Sequence, residues 1–93
     1  MSKSIYSNER VCIVCGTPIG LHKHHVFGGQ AYRDKSEQYG CWVYLCGYHH
    51  NLSSDGIHYN KKLNEQVKQE TQRRFEQTYP NLNFREIFGK SYL

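Results

Sequence analysis

The sequence predicts a small α+β domain, stapled by a structural zinc ion between two knuckles and closed by a long helix and a short final helix. Three observations predict it. All four Cys and all six His fall between Cys12 and His58. Short aromatic and β-branched runs, as strands favour, lie in that same half. Beyond them an apolar stripe recurs every four residues from Leu63 to Tyr79, which is helical spacing. Ninety-three residues suffice for one domain and not for two. Residues 1–10 read as a polar lead-in and 11–93 as the single domain. With 38% hydrophobic residues the core is small, and chains of this size often need a metal or disulfides.

The elements follow in order. Val11 to Pro18 reads as a short apolar strand that turns at Gly16 and Pro18. Leu21 to Phe27 is a second extended piece, ended by Gly28-Gly29. Gln30 to Gly40 is polar and charged and reads as a loop. Cys41-Trp42-Val43-Tyr44-Leu45-Cys46 has strand composition, and Asn51 to Gly56 is a second loop. From Asn60 to Tyr79 the stripe Leu63, Val67, Thr71, Phe75 and Tyr79 marks one helix face, and Pro80 ends the helix. Asn83 with Glu86 resembles a capping pair for a last helix that buries Phe84, Ile87 and Phe88 and stops at Gly89.

The polar N-terminus shows no signal peptide, and no run is long enough to span a membrane, so no membrane partner is expected. A reducing cytoplasmic setting is the expectation, which favours metal over disulfides for paired cysteines. The net charge of +4 suits a polyanionic partner without proving one.

Cys12-x-x-Cys15-Gly16 and Cys46-Gly47-x-His49 have the spacing of two zinc knuckles. Together they offer the Cys3His donor set of a tetrahedral structural Zn²⁺ site. A glycine beside each pair lets the chain turn tightly enough for both donors to face one ion. A redox reading of Cys12-x-x-Cys15 fits poorly, because a Gly-Thr-Pro turn follows rather than a helix start. Cys41 could replace His49 as fourth ligand but reads better as a buried thiol. The segment between the knuckles contains His22, His24 and His25.

Adjacent residues of a strand point to opposite faces, so His24 and His25 need a bend at Gly28-Gly29 to approach one phosphate. His50 stands beside the zinc ligand His49, and His58 follows a Ser-Ser-Asp-Gly loop. Imidazoles from three segments can thus converge on phosphodiester chemistry. A neutral imidazole can take a proton from water, and a divalent ion held by others can stabilise the charge on the departing oxygen. Against this stands the reading of His24, His25 and His50 as extra zinc ligands or surface residues.

Cys12-x-x-Cys15-Gly16, His24-His25-Val26-Phe27-Gly28-Gly29, Lys35-Ser36-Glu37-x-x-Gly40, Leu45-Cys46-x-x-His49-His50-Asn51 and Gly56-Ile57-His58 together resemble the phage and prophage HNH (ββα-metal, His-Me finger) nucleases related to the RecA-dependent nuclease (Ref, recombination enhancement) family. The resemblance runs over nearly the whole chain from Val11. It implies an endonuclease acting on DNA in a bacterial host cell and leaving 5′-phosphate ends. His24 and His50 would hold a catalytic Mg²⁺ or Mn²⁺, His25 would be the general base, and His58 a further ligand or phosphate contact. A recombinase filament or another host protein would be a partner. The Asn that orients the base in many HNH proteins would fall near Cys41, and Asn51 is the nearest Asn.

Arg33 and Lys35, with Lys61, Lys62, Lys68, Arg73 and Arg74 of the long helix, are candidate phosphate contacts, which position DNA without reading sequence. Glu65, Glu70 and Glu76 share that helix, so its charges also fit a solvated face. The rival function, from a different class, is a non-catalytic zinc module that binds DNA or a host protein on the same frame.

Overall fold

The computed structural model describes residues 3–53 and 56–93. Met1 and Ser2 of the lead-in and Ser54 and Asp55 of the second loop lie outside the described residues. Strand β1 (Leu21–His25) pairs antiparallel with β2 (Trp42–Cys46), Leu21 opposite Cys46 and His25 opposite Trp42. Helix α1 (Gln30–Tyr39) joins the two strands, and a single wide π-type turn, Tyr48–Leu52, follows β2. Helix α2 (Lys61–Thr78) and helix α3 (Phe84–Phe88) complete the order. The result is a small α+β fold in which a strand pair precedes the long helix. Among the described residues no helix is long and apolar enough to cross a membrane.

Two elements differ from the sequence expectation. The segment Gln30–Gly40, expected as a loop, is helix α1 with Gly40 closing it in the left-handed region at φ 74°. Its polarity misleads because it buries so little. Ser36 is fully buried, and its hydroxyl accepts from the Phe27 amide (3.2 Å) and donates to the Phe27 carbonyl (2.8 Å). One satisfied hydroxyl takes the place of an apolar stripe. Val11–Pro18, expected as a strand, forms none and turns at residues 13–15. The Gly16 amide donates to the Cys12 carbonyl (2.8 Å) and the Cys12 amide to the Thr17 carbonyl (2.9 Å), which folds the apolar run back on itself. One bond, from the Ile13 amide to the Tyr44 carbonyl (3.1 Å), ties it to β2.

A two-stranded sheet is marginal on its own, and an aromatic core supports this one. Phe27, just past β1, packs against Phe88 with ring centroids 4.6 Å apart, and Phe84 meets Phe88 at 4.7 Å and Phe75 at 5.3 Å. On α2 the expected stripe is the buried face: Val67, Thr71 and Phe75 are buried, with Leu63 and Tyr79 half-buried at its ends. Asn60 caps the helix, its side chain accepting from the Leu63 amide at 3.1 Å. Gln72 is also buried and holds the C-terminal segment, donating to the Ser91 hydroxyl (3.0 Å) and accepting from the Tyr92 amide (2.7 Å). Helix α3 begins at Asn83, which accepts from the Glu86 amide, and ends at Gly89, as its sequence predicts.

Candidate metal centres and the cleft beside them

The folded-back turn of Cys12–Cys15 meets the end of β2. The donor atoms of Cys12, Cys15, Cys46 and His49 all lie within 4.8 Å of one another. A tetrahedral zinc with Zn–S of about 2.3 Å and Zn–N of about 2.0 Å sets sulfurs about 3.8 Å apart and sulfur about 3.5 Å from nitrogen. The Cys15 and Cys46 sulfurs are 3.8 Å apart, and His49 Nδ1 lies 3.3 Å from Cys46 Sγ and 3.8 Å from Cys12 Sγ. These three donor pairs are close to the spacing a zinc ion imposes.

The thiols themselves point to a cation. Burial raises the Cys12 pKa, but amide hydrogen bonds from Cys15, Cys46 and Val14 outweigh it and bring the thiol to about 6. At Cys15 a Thr17 amide bond lowers the pKa, yet desolvation, hydrogen bonds to Cys12 and Cys46, and the Cys12 charge together raise it. Three thiols this close cannot all ionise without a positive partner. Cys41 is separate: it is fully buried, outside the donor cluster, and burial pushes its pKa up to about 12. It is the packed thiol that its sequence position suggested.

A second donor cluster lies on the other side of the π-type turn. That turn carries His49 towards the cysteines and the next residue, His50, towards His24 and His58. The Ile57 amide donates to the His49 carbonyl (2.7 Å) and the His58 amide to the His50 carbonyl (3.3 Å), which fixes His58 beside His50. Gly56 makes this approach possible, because a Cβ there would sit 2.8 Å from the His50 carbonyl oxygen. His50 Nε2 and His58 Nε2 are 3.0 Å apart. His24, from β1, has its ring centroid 5.3 Å from each of the other two. These three imidazoles can each direct one nitrogen within 4.8 Å of the others.

The His24 site is electrically unsuited to protons. Burial, then the charges of His50, His58, His25 and Lys68, lower its pKa to about 3. Burial, then His58 and His22, also lower that of His50. His24 Nε2 is buried with no hydrogen-bond partner among the described residues. A neutral imidazole with an orphaned buried nitrogen, facing two others, is the donor chemistry of a divalent transition ion.

His25 takes a different course from its neighbour. Its Nε2 lies 3.0 Å from Glu37 Oε1 on α1, and Glu37 also pairs with Lys23 Nζ at 2.7 Å. The bonds from Lys23 and His25 hold the Glu37 carboxyl below the usual carboxylate range. Lys23 is steadied from its other side by the Trp42 ring, 4.3 Å from its ammonium. A carboxylate can only accept, so His25 donates from Nε2, and in the neutral ring the lone pair is then on Nδ1. The HNH resemblance would put an Asn for this task near Cys41, with Asn51 the nearest Asn. Asn51 is exposed on the π-type turn, and the partner of His25 is Glu37.

Both histidines nonetheless line one cleft of about 420 Å³, together with His50, His58, Lys23, Arg33, Asn64 and Lys68. Of the candidate phosphate contacts Arg33 and Lys68 line this cleft, and Lys23, which was not a candidate, lines it as well. Lys68 is half-buried, and burial with the nearby Lys90 lowers its pKa. Lys35, Lys61 and Lys62 are exposed and stand outside this cleft, Lys62 lining a shallow groove beside Val14 and His49. Arg73 and Arg74 are paired with Glu70, and Arg74 also donates to the Tyr6 carbonyl. No protein-family model, curated protein or solved structure matches this chain.

Proposed function

We propose that this chain is a metal-dependent phosphodiester hydrolase of the HNH type, acting on DNA. One observation carries the reading: a three-imidazole donor cluster and a separately held histidine share one cleft with Lys23, Arg33 and Lys68. The Cys3His cluster is the structural zinc site of this reading, and its knuckle fixes where His50 points.

In that cleft Arg33 and Lys68 attract and seat the phosphate backbone. Glu37 keeps the His25 proton on Nε2, so that Nδ1 takes the proton of the attacking water. The water oxygen bonds to phosphorus as the bond to the 3′ oxygen breaks, and solvent returns a proton to the leaving group. His24, His50 and His58 would hold a divalent ion, which when bound would supply Lewis-acid stabilisation of the charge that develops. Imidazoles without a carboxylate suit Mn²⁺ or another first-row transition ion better than Mg²⁺, which prefers oxygen donors and keeps its waters. Mn²⁺ is therefore the ion to try first.

The test is incubation of zinc-loaded protein with supercoiled, linear and single-stranded DNA and with Mn²⁺, Ni²⁺, Zn²⁺ and Mg²⁺ in turn. Cleavage with Mn²⁺, leaving 5′-phosphate and 3′-hydroxyl ends, supports a hydrolase. If all three DNA forms stay intact with every ion, a non-catalytic binding module is the better description.

A further inference from the structure

Strand β1 carries one more imidazole, which the hydrolytic chemistry does not use. His22 precedes His24 by two residues, so the strand places both on the same face. His22 Nδ1 lies 2.9 Å from His50 Nδ1, with the rings nearly perpendicular at 89°. His22 is half-buried, and a Cβ on Gly47, the knuckle glycine, would come within 3.8 Å of its Cε1. The ring thus lies between the second knuckle and the three-histidine cluster.

Two imidazole nitrogens at 2.9 Å share one proton, one donating and the other accepting. The other nitrogen of His50, Nε2, is the one that faces His58 Nε2. If His50 gives its Nε2 lone pair to an ion, its proton must sit on Nδ1, and that proton needs an acceptor. His22 Nδ1 is placed to be that acceptor. His22 itself falls outside the set of donors that can meet at one point, which comprises His24, His50 and His58.

We propose that His22 is a positioning residue for the metal centre: it accepts the Nδ1 proton of His50 and so fixes that ring's orientation and leaves Nε2 for the ion. The inference rests on reading the three-histidine cluster as a metal centre. Outer partners of this kind typically change metal affinity by about 10–100-fold when removed. A side chain at Gly47 would meet the His22 ring, since its Cβ would come within 3.8 Å of Cε1.

The experiment titrates zinc-loaded protein with Mn²⁺ and follows the resonance of free Mn²⁺ by electron paramagnetic resonance. Wild type is expected to take up one Mn²⁺ per chain. His22→Phe, which keeps the bulk of the ring without an acceptor, is expected to bind it about 10–100-fold more weakly with zinc content unchanged. His22→Asn, whose side-chain oxygen can stand where Nδ1 stood, is expected to recover most of that loss. No Mn²⁺ uptake by wild type would remove the metal centre and this inference with it. Uptake by wild type with equal affinity in His22→Phe would overturn the role of His22 alone. An Asn variant as weak as the Phe variant would show a packing role and overturn it too. Should His22→Phe lose its zinc, long-range proton–nitrogen spectra of wild type decide: a His50 proton on Nδ1 supports the assignment, and one on Nε2 refutes it.

Discussion

Replacing Cys46 by Ala removes the sulfur that stands 3.8 Å from Cys15 Sγ and 3.3 Å from His49 Nδ1. It leaves two thiols and one imidazole, an incomplete tetrahedral set. Structural zinc contributes about 10–16 kcal/mol of apparent binding free energy near neutral pH, and in such domains binding energy is folding energy. A domain of this size holds about 5–15 kcal/mol in total. Loss of the ion is therefore expected to abolish the folded state rather than weaken it. Cys41→Ala is the matched control, since Cys41 is also buried but lies outside the cluster. It should cost about 1 kcal/mol, a fall of about 4–8 °C in melting temperature, with zinc retained. The assay is zinc per chain by elemental analysis, together with thermal unfolding followed by circular dichroism. The reasoning is refuted if Cys46→Ala keeps one zinc and melts near wild type, or if Cys41→Ala loses the ion.

Three further outcomes are expected. Gly56→Ala places a methyl 2.8 Å from the His50 carbonyl oxygen, where backbone must move. It should cost about 1–3 kcal/mol and weaken Mn²⁺ uptake without releasing zinc, as calorimetry and metal titration would show. Arg33→Ala and Lys68→Ala should each lower the salt dependence of DNA affinity by about 0.9 in log–log slope. Lys61→Ala, outside the cleft, should change it less when binding is followed by fluorescence anisotropy across salt concentrations. Glu37→Ala, which frees His25 Nε2 from its acceptor, should slow DNA cleavage by about 10–100-fold, mainly in kcat, with Mn²⁺ affinity retained.

Much of this architecture is legible in the residues themselves. The α2 stripe from Leu63 to Tyr79 and the Asn60 and Asn83 caps read directly, because helix periodicity and capping chemistry are local. The knuckles read for a similar reason: metal geometry constrains spacing within a few residues. Helix α1 was hidden because the one deeply buried side chain among its described residues is a hydroxyl bonded to Phe27, which no apolar pattern reveals. Val11–Pro18 has the apolar content of a strand, but Cys12 and Cys15 must face one point, and the turn at 13–15 meets that demand.

The role of Glu37 is hidden for the same reason as helix α1. Read as part of a loop, it was only one of two carboxylates between Gly29 and Cys46. On a helix that packs beside β1, it reaches both Lys23 and His25. His22 escaped for a different reason: its partner His50 is 28 residues away, and only the strand pairing and the π-type turn bring the two rings together. The alternation that separates His24 from His25 was legible, and it holds. His24 turns to His50 and His58, while His25 turns to Glu37.

The most direct measurement is the single-turnover cleavage rate of plasmid DNA with Mn²⁺, comparing wild type with His25→Ala at equal zinc and manganese occupancy. Wild type should cut, and the variant should be slower by about 10²–10⁴-fold, the usual contribution of a general base. Equal rates, or a fully loaded wild type that leaves the plasmid intact, would contradict hydrolysis at this site.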